Sequence, residues 1–346
     1  MAGNFTDLVI SQDEQWTGLL QPLVLDIAIG LCALVNEALG ILGIVANIVN
    51  ILVFYRQGYD DSVNITLTAL AVSDIGALLT LQVCNLMVNP WLMNLDLDVS
   101  VINFEELVSF YPHNYFIRVC GFITAFASFE RCLCVVAPLK VKQIITKRVS
   151  IATNIFIFLI LCLNLVPIYY VSYLDWVFIP ELNKTKLIGL DRENPYNVFG
   201  ISYYVTDLFI PHLSFFVIIM CNFIIGIQLK KRAAWKMSAT NQKEKENPFS
   251  RKEMKLVMML SVVSAIFIVC LIPQSAVLTT IAFVCDLSIY GRYFDVALLC
   301  FNISNFTESL SSSVNIVVYY VMSTRYRETL HAWFSTNKRT GMQWRN

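Results

Sequence analysis

Charge is scarce in this sequence: 14% of its 346 residues are Asp, Glu, Lys or Arg, against about a quarter in ordinary soluble domains. A water-facing surface needs more charge than that, so a soluble globular protein fits poorly. Paired cysteines are also lacking. Nine of the ten cysteines (Cys32, Cys84, Cys120, Cys132, Cys134, Cys162, Cys221, Cys270 and Cys300) fall inside apolar runs, where a thiol behaves as a small hydrophobe. No CxxC or Cys/His cluster suggests zinc, and no disulfide framework is expected. The three histidines, His113, His212 and His331, lie far apart, so the metal or nucleophile constellation of a membrane hydrolase is missing. Internal repeats and Gly/Pro-broken helices at matching positions, which a transporter would show, are not visible. Met1 to Gln21 is acidic and polar and has no basic segment followed by an apolar core. No cleavable signal peptide is expected, and the first membrane span would serve as the targeting signal.

Apolar residues are what the chain has in quantity: 57% of the total, with a mean hydropathy of +0.62. A bilayer core of about 30 Å needs roughly 20 such residues as a helix, because lipid cannot satisfy open backbone groups. Ala38 to Tyr55, Val149 to Leu174 and Leu256 to Cys285 meet that requirement almost without charge. Four further runs carry isolated polar groups: 64–89 with Asp74, 107–136 with His113 and Arg118, 199–229 with Asp207, and 293–322 with Glu308. The expected fold is an all-α membrane protein, a seven-transmembrane-helix bundle with a short amphipathic C-terminal helix. Its spans are about 29–56, 64–89, 107–136, 149–174, 199–229, 253–285 and 293–322. An outer segment, 1–28, precedes them, and an amphipathic helix and tail, 323–346, follow.

Lys and Arg concentrate on the cytoplasmic side of membrane proteins. With the N-terminus outside, 19 of the 25 basic residues fall in inner segments, among them Arg56, Lys140, Lys142, Lys147, Arg148 and the group from Lys230 to Lys255. Four fall outside (Lys184, Lys186, Arg192 and Arg292), and Arg118 and Arg131 lie in the third span. The opposite orientation reverses the bias, so the N-terminus is expected outside and the C-terminus inside. This also argues against a ligand-gated channel of the insect odorant type, whose N-terminus is inside. Asn4-Phe5-Thr6 and Asn183-Lys184-Thr185 are then glycosylation sequons on the outer side. Those at Asn64, Asn302 and Asn305 lie at or in spans and read as chance matches.

Polar residues inside spans are costly and mark function or an internal partner. Here they form a pattern. Asn47 ends Gly43-Ile44-Val45-Ala46-Asn47, and Asp74 ends Leu70-Ala71-Val72-Ser73-Asp74. The third span ends Phe129-Glu130-Arg131-Cys132, with Pro138-Leu139-Lys140 after it. The sixth holds Phe267 and Pro273, and the seventh ends Asn315-Ile316-Val317-Val318-Tyr319. An amphipathic segment, Thr324 to Phe334, follows at once. By these motifs the chain resembles the rhodopsin-like (class A) G-protein-coupled receptors over nearly its whole length. Three longer stretches resemble gastropod chemosensory receptors: Gln57 to Ile65, Ile123 to Cys134, and Pro138 to Lys142.

The resemblance implies a plasma-membrane receptor that is not an enzyme. It detects an extracellular ligand and engages a heterotrimeric G protein, with arrestin as a further inner partner; membrane lipid surrounds it and nucleic acid plays no part. It also implies a switch in which Arg131, flanked by Glu130, pairs with Glu253, twenty residues before Pro273, while Tyr319 stands at the inner end of the seventh span. Such a pair is charge-assisted and can bias a two-state bundle; the bland alternative is a pair of ordinary juxtamembrane charges. Asn47, Asp74, Ser311, Ser312 and Asn315 would form the polar cluster in which related receptors hold water or sodium. A purely structural hydrogen-bond network is an equal alternative there. Otherwise no cofactor or metal is implied. Ser335, Thr336 and Thr340 are candidate phosphorylation sites, and no tail cysteine is available for palmitoylation.

The sequence departs from the family pattern in several places. Glu106 stands where the usual disulfide would begin, and the outer loop from Asp175 to Asn197 has no cysteine to complete it. Leu271 replaces the usual tryptophan near Pro273, Ile316 the proline before Tyr319, and Ile219 the tyrosine of the fifth span; the fourth span lacks tryptophan. Two absences narrow the ligand class. Monoamine receptors place an aspartate where His113 stands. Opsins need a lysine in the seventh span, and none lies between Lys255 and Lys338.

Helical geometry ranks the ligand candidates. His113 and Arg131 are eighteen residues apart, about five turns, so both face inward; Glu308, about two turns before Asn315, does too. Arg118 is roughly 140° around from His113, toward the fourth and fifth spans, and Asp207 on the fifth is its natural partner. Arg118 and Asp207 form either a closed structural ion pair or the polar end of a pocket for a small charged or zwitterionic cue, with Leu271 nearby. His113 is either a packing residue or a ligand contact. A neuropeptide receptor is the main rival, because an acidic outer surface that includes Glu105 and Glu106 could attract a basic peptide. The alternative for that surface is a solvated, glycosylated exterior.

Overall fold

A computed structural model describes residues 22–87, 89, 95, 97–180, 183–192, 195–238, 251–287 and 293–343. The described chain is mostly helix. Helix α1 is Pro22–Gln57 and α2 is Ser62–Met87. Helix α3 comprises Val101–Glu105, a π-helical segment Glu106–Phe110, and Tyr111–Val136. After a short helix, Pro138–Ile144, α4 follows as Lys147–Cys162 and Leu165–Val171. Helix α5 comprises Pro195–Tyr203, a second π segment Tyr204–Phe209, and Ile210–Ser238. Then come α6, Arg251–Phe283, α7, Phe294–Met322, and α8, Thr324–Gln343.

The interruptions have a shared cause. Proline lacks an N–H, so the carbonyl four residues back loses its helical donor. Pro112 and Pro211 leave the carbonyls of Val108 and Asp207 in this position, and each of those residues lies inside a π segment. Pro167 does the same to Leu163, where α4 breaks between Cys162 and Leu165. The π segments widen α3 and α5 one turn above the residues that matter below.

Among the described residues six helices, α1 to α6, are long and apolar enough to cross a membrane. Helix α7 equals them in length but carries Asn302, Ser304, Glu308, Ser309, Ser311, Ser312 and Asn315, all buried. It packs between α1 and α6, so its polar side faces protein rather than lipid. In α3, 67% of the most apolar stretch is buried, against 22% in α4, which makes α3 the central helix and α4 a peripheral one. Val119, Ile123, Ile218, Leu260, Val263 and Tyr319 belong to the apolar core around it.

Between α4 and α5 the loop expected from Asp175 to Asn197 is largely a β-hairpin. Strand β1, Ser172–Ile179, pairs antiparallel with β2, Lys184–Asp191. The fourth span therefore ends at Val171 rather than 174. At the turn Asn183 is exposed with φ 49°, a left-handed conformation that asparagine tolerates; its sequon is thus on a surface turn, while Asn4 lies outside the described residues. The hairpin is tied to the α2–α3 connection by the backbone. Leu187 N–H donates to Asp98 O, and Ser100 N–H donates to Leu187 O, both at 2.8 Å. At the opposite end of the bundle, α8 docks on α1. Tyr326 is buried and its hydroxyl donates to Asn50 Oδ1 at 2.6 Å. Burial pushes that phenol well above its ordinary pKa, so it stays a donor. Arg56 lies over the Trp333 ring at 5.0 Å, and Arg325 Nη2 donates to Gln57 O at 2.7 Å. The amphipathic helix expected over Thr324 to Phe334 runs on to Gln343.

The α2–α3 seam depends on one close approach. A Cβ on Gly76 would run into the Phe116 ring. Gly76→Ala is expected to lower stability by about 1–3 kcal/mol through overpacking, measured as a fall in the thermal midpoint of the purified protein; an unchanged midpoint would show that the ring yields freely.

Candidate functional site

Three helical stripes converge in the half of the bundle nearest the hairpin. Asn114, Ile117, Arg118 and Gly121 on α3 follow i, i+3, i+4, i+7 spacing, as do Asp207, Ile210, Pro211 and Ser214 on α5. Such spacing places side chains on one helix face. Phe267, Leu271, Gln274 and Leu278 form the matching stripe on α6, and Glu308 closes the space from α7. Together they bound a pocket. Its body is apolar and its ends are charged.

The Arg118–Asp207 pair is formed: Arg118 Nη2 donates to Asp207 Oδ1 at 2.5 Å, with both side chains largely buried. Thr206 Oγ1 donates to the other carboxylate oxygen at 2.8 Å. Asp207 lies in the π segment of α5, whose widened turn presents it toward α3.

His113 sits behind the pocket wall and does not line it. Its Nδ1 is 2.9 Å from Ala77 O, and a carbonyl can only accept, so that nitrogen carries a hydrogen. Its Nε2 is 3.0 Å from Glu308 Oε1, an ion-pair distance at an angle poor for a hydrogen bond. The inward orientation of both residues was legible in the sequence; their pairing was not. Glu308 is 2% exposed, and neither of its oxygens accepts a hydrogen bond among the described residues.

The deeper polar cluster is assembled from the expected residues. Asn315 Nδ2 donates to Asp74 Oδ2 at 2.9 Å, and Cys120 Sγ approaches Asp74 Oδ1 at 3.4 Å. Asn47 Nδ2 donates to Ser312 O at 2.8 Å and to Gly43 O at 3.0 Å. Asn50 extends the set by donating to Asn47 Oδ1 at 3.3 Å. Ser311 and Ser312 are buried. The donors are carboxylate, hydroxyl and amide oxygens, the hard set that suits a hard cation.

At the far end of α3, Glu130 is buried and accepts from Ser150 at 2.9 Å and Thr66 at 3.3 Å. It thereby ties α3 to α2 and α4. Arg131 is 6% exposed and its Nε lacks a partner among the described residues. The ion pairs closed between described residues are His113–Glu308, Arg118–Asp207 and Lys147–Asp60. The expected Arg131–Glu253 contact is not one of them. Glu253 lies in the first turn of α6, where the helix dipole favours a carboxylate on its own account. Tyr319 is buried between Phe54, at 5.4 Å, and Tyr326, at 5.7 Å between ring centroids.

One expectation for the outer surface is corrected. Glu105 is buried, not solvent-facing; it accepts from Cys84 Sγ at 2.8 Å and Ser109 Oγ at 3.4 Å. Helix α3 starts at Val101, one and a half turns before the expected 107, and that extension carries Glu105 inward. Glu106 stays partly exposed and accepts from Tyr111 Oη at 2.8 Å. Gln274 is a pocket residue that sequence reasoning missed; the signal was its position seven residues after Phe267, on the stripe that holds Leu271.

Comparison with family models matches residues 46–319 to the family described as "7 transmembrane receptor (rhodopsin family)". No curated protein matches the chain.

Truncating one member of a buried ion pair strands the other. Asp207→Asn is therefore expected to cost about 3–5 kcal/mol, read as a lower thermal midpoint. Arg118→Met combined with Asp207→Leu should lose clearly less. Equal losses in the single and double variants would mean that the pair carries no coupling.

Proposed function

Since the chain belongs to the rhodopsin family of seven-transmembrane receptors, we propose that it is a chemosensory G-protein-coupled receptor of the plasma membrane. Its N-terminus lies outside and its C-terminus inside, as the distribution of Lys and Arg favours. A small extracellular cue enters the pocket among α3, α5, α6 and α7, and a heterotrimeric G protein engages the basic inner segments. The observation that carries this reading is the pocket itself. It holds buried charge at Arg118, Asp207 and Glu308, on the helix whose other end carries Arg131. The three stretches that resemble gastropod chemosensory receptors supply the finer assignment. A neuropeptide receptor is the weaker alternative, because the acidic surface it invokes loses Glu105 to the interior.

In this reading Arg131 and Glu253 are the two sides of the inner switch. They approach in the resting bundle and part when α6 moves outward. Glu130 stays with Ser150 and Thr66 and holds α3 to its neighbours while that happens. The cluster around Asp74 supplies the oxygens for a sodium ion, with Ser311, Ser312 and Asn315 beside the carboxylate. Asn183, on its exposed turn, is the described glycosylation position, and arrestin is the partner expected at a phosphorylated tail.

Glu253→Gln is expected to raise basal signalling several-fold in cells that express the chain with a promiscuous G protein. Basal activity that stays level or falls, at equal surface expression, would remove Glu253 from the switch.

A further inference from the structure

Two residues of the pocket wall hold buried acceptors without hydrogen-bond partners among the described residues. The acceptors are Gln274 Oε1, on a side chain 8% exposed, and Glu308 Oε2, on one 2% exposed. Unmet acceptors at that depth cost about 1–3 kcal/mol each, more for a charged group. Across the space, Asp207 engages a single guanidinium nitrogen of Arg118, Nη2. The rest of that five-donor fork is open to an anion. The pocket therefore asks for donors at the α6–α7 side and for an anion at the α3–α5 side.

Charge balance points the same way. Arg118 is matched by Asp207, and Glu308 faces His113. A ligand with net charge would leave one of these buried groups uncompensated, which is expensive in a dry site. A ligand carrying both signs would not. Between the two ends the wall is apolar, from Ile117, Phe215, Phe267, Leu271 and Leu278, which rewards an apolar body by roughly 25 cal/mol per Å² buried.

We propose that the pocket binds a small zwitterion with an apolar body, of the chemistry of a free α-amino acid bearing an aliphatic or aromatic side chain. Its carboxylate lies on Arg118 and its ammonium on Glu308 and Gln274. This rests on the reading of the pocket as the cue site and names the chemistry of the cue. Glu308 has two oxygens, so an ammonium can take Oε2 while Oε1 stays with His113. The carboxylate adds to the Arg118–Asp207 contact and does not have to break it. A monoamine satisfies only the donor half of the site, and a fatty acid only the anionic half.

The test uses the full chain purified into lipid nanodiscs. Leucine and phenylalanine are titrated by calorimetry and by ligand-induced thermal shift, with phenethylamine and 3-phenylpropionate as single-charge comparators. Leucine or phenylalanine should raise the midpoint and bind at least about tenfold more tightly than either comparator, since a site built for a polar group rejects ligands that lack it. Arg118→Ala strands Asp207 and can unfold the bundle, so the diagnostic variant is Gln274→Leu. It removes the acceptor without burying a charge, and it should weaken phenylalanine about tenfold while leaving 3-phenylpropionate unchanged. Absence of binding by leucine and phenylalanine, or comparators that bind equally well, would overturn the proposal. Basal G-protein activation by Glu253→Gln, measured without any ligand, separates the two readings. If it is present without zwitterion binding, only the ligand assignment fails. If zwitterions bind but no G protein is activated in any background, the receptor function fails and the site stands.

Discussion

A charge taken out of water inside a bundle must meet its counter-charge or a ring of donors, or the fold loses several kcal/mol. This chain places Asp74, Glu105, His113, Arg118, Glu130, Arg131 and Glu308 in its interior, and the solutions it finds organise everything else. Arg118 and Asp207 join α3 to α5, and His113 and Glu308 join α3 to α7. Asp74 joins α2 to α7 through Asn315, and Glu130 joins α3 to α2 and α4. Most of these links include α3, so the central helix is central electrostatically as well as by packing. The polarity of α7 follows from the same constraint. As the helix that answers His113 and Asp74, it cannot also be uniformly apolar.

The hairpin end shows how a missing covalent link is replaced. Receptors of this resemblance usually staple the top of the third helix to the second outer loop by a disulfide, and here neither cysteine exists. Instead, the Asp98–Ser100 strip exchanges two backbone hydrogen bonds with Leu187 of β2, an isolated bridge that adds a strand-like contact to the hairpin. Gly189 lies against Asn103 so closely that a Cβ there would meet the asparagine side chain at 2.9 Å. Ser172 Oγ donates to Asp191 Oδ1 at 2.5 Å and closes the open end of the hairpin. Several weak local contacts thus do the work of one strong bond. Such an attachment yields to local opening more readily than a disulfide, and it leaves the outer rim of the pocket easier to deform.

What was legible in the sequence was whatever a straight helix and a fixed 100° step per residue determine. The apolar runs located the spans to within about two turns, and the angle between His113 and Arg118 was enough to aim Arg118 at Asp207. The Asn47, Asp74 and Asn315 cluster came from the family resemblance, not from spacing. The illegible parts are those in which a proline changes the step. The π segments before Pro112 and Pro211 shift the helix phase in a way that residue spacing alone does not report, and the extra turns of α3 turned Glu105 from an outer acid into a buried one. The hairpin was missed because Ser172–Ile179 reads as the continuation of an apolar run; only the pairing with Lys184–Asp191 distinguishes the strand. Gln274 shows its place only when the stripe from Phe267 through Leu271 is drawn.

Below Arg118 the floor of the pocket is packed rather than charged. Gly121 lies beneath Arg118 on the same stripe of α3, and a Cβ there would meet Ser214 Oγ at 3.1 Å and the tip of Phe267 at 3.5 Å. Phe267 in turn packs edge-on against Phe215 at 6.3 Å. The floor of the pocket is therefore an aromatic ring of α6 held between α3 and α5, one turn below Leu271, where the family usually has a tryptophan. Helix α6 contains Pro273, which removes the hydrogen bond to the Val269 carbonyl and makes that turn the compliant point.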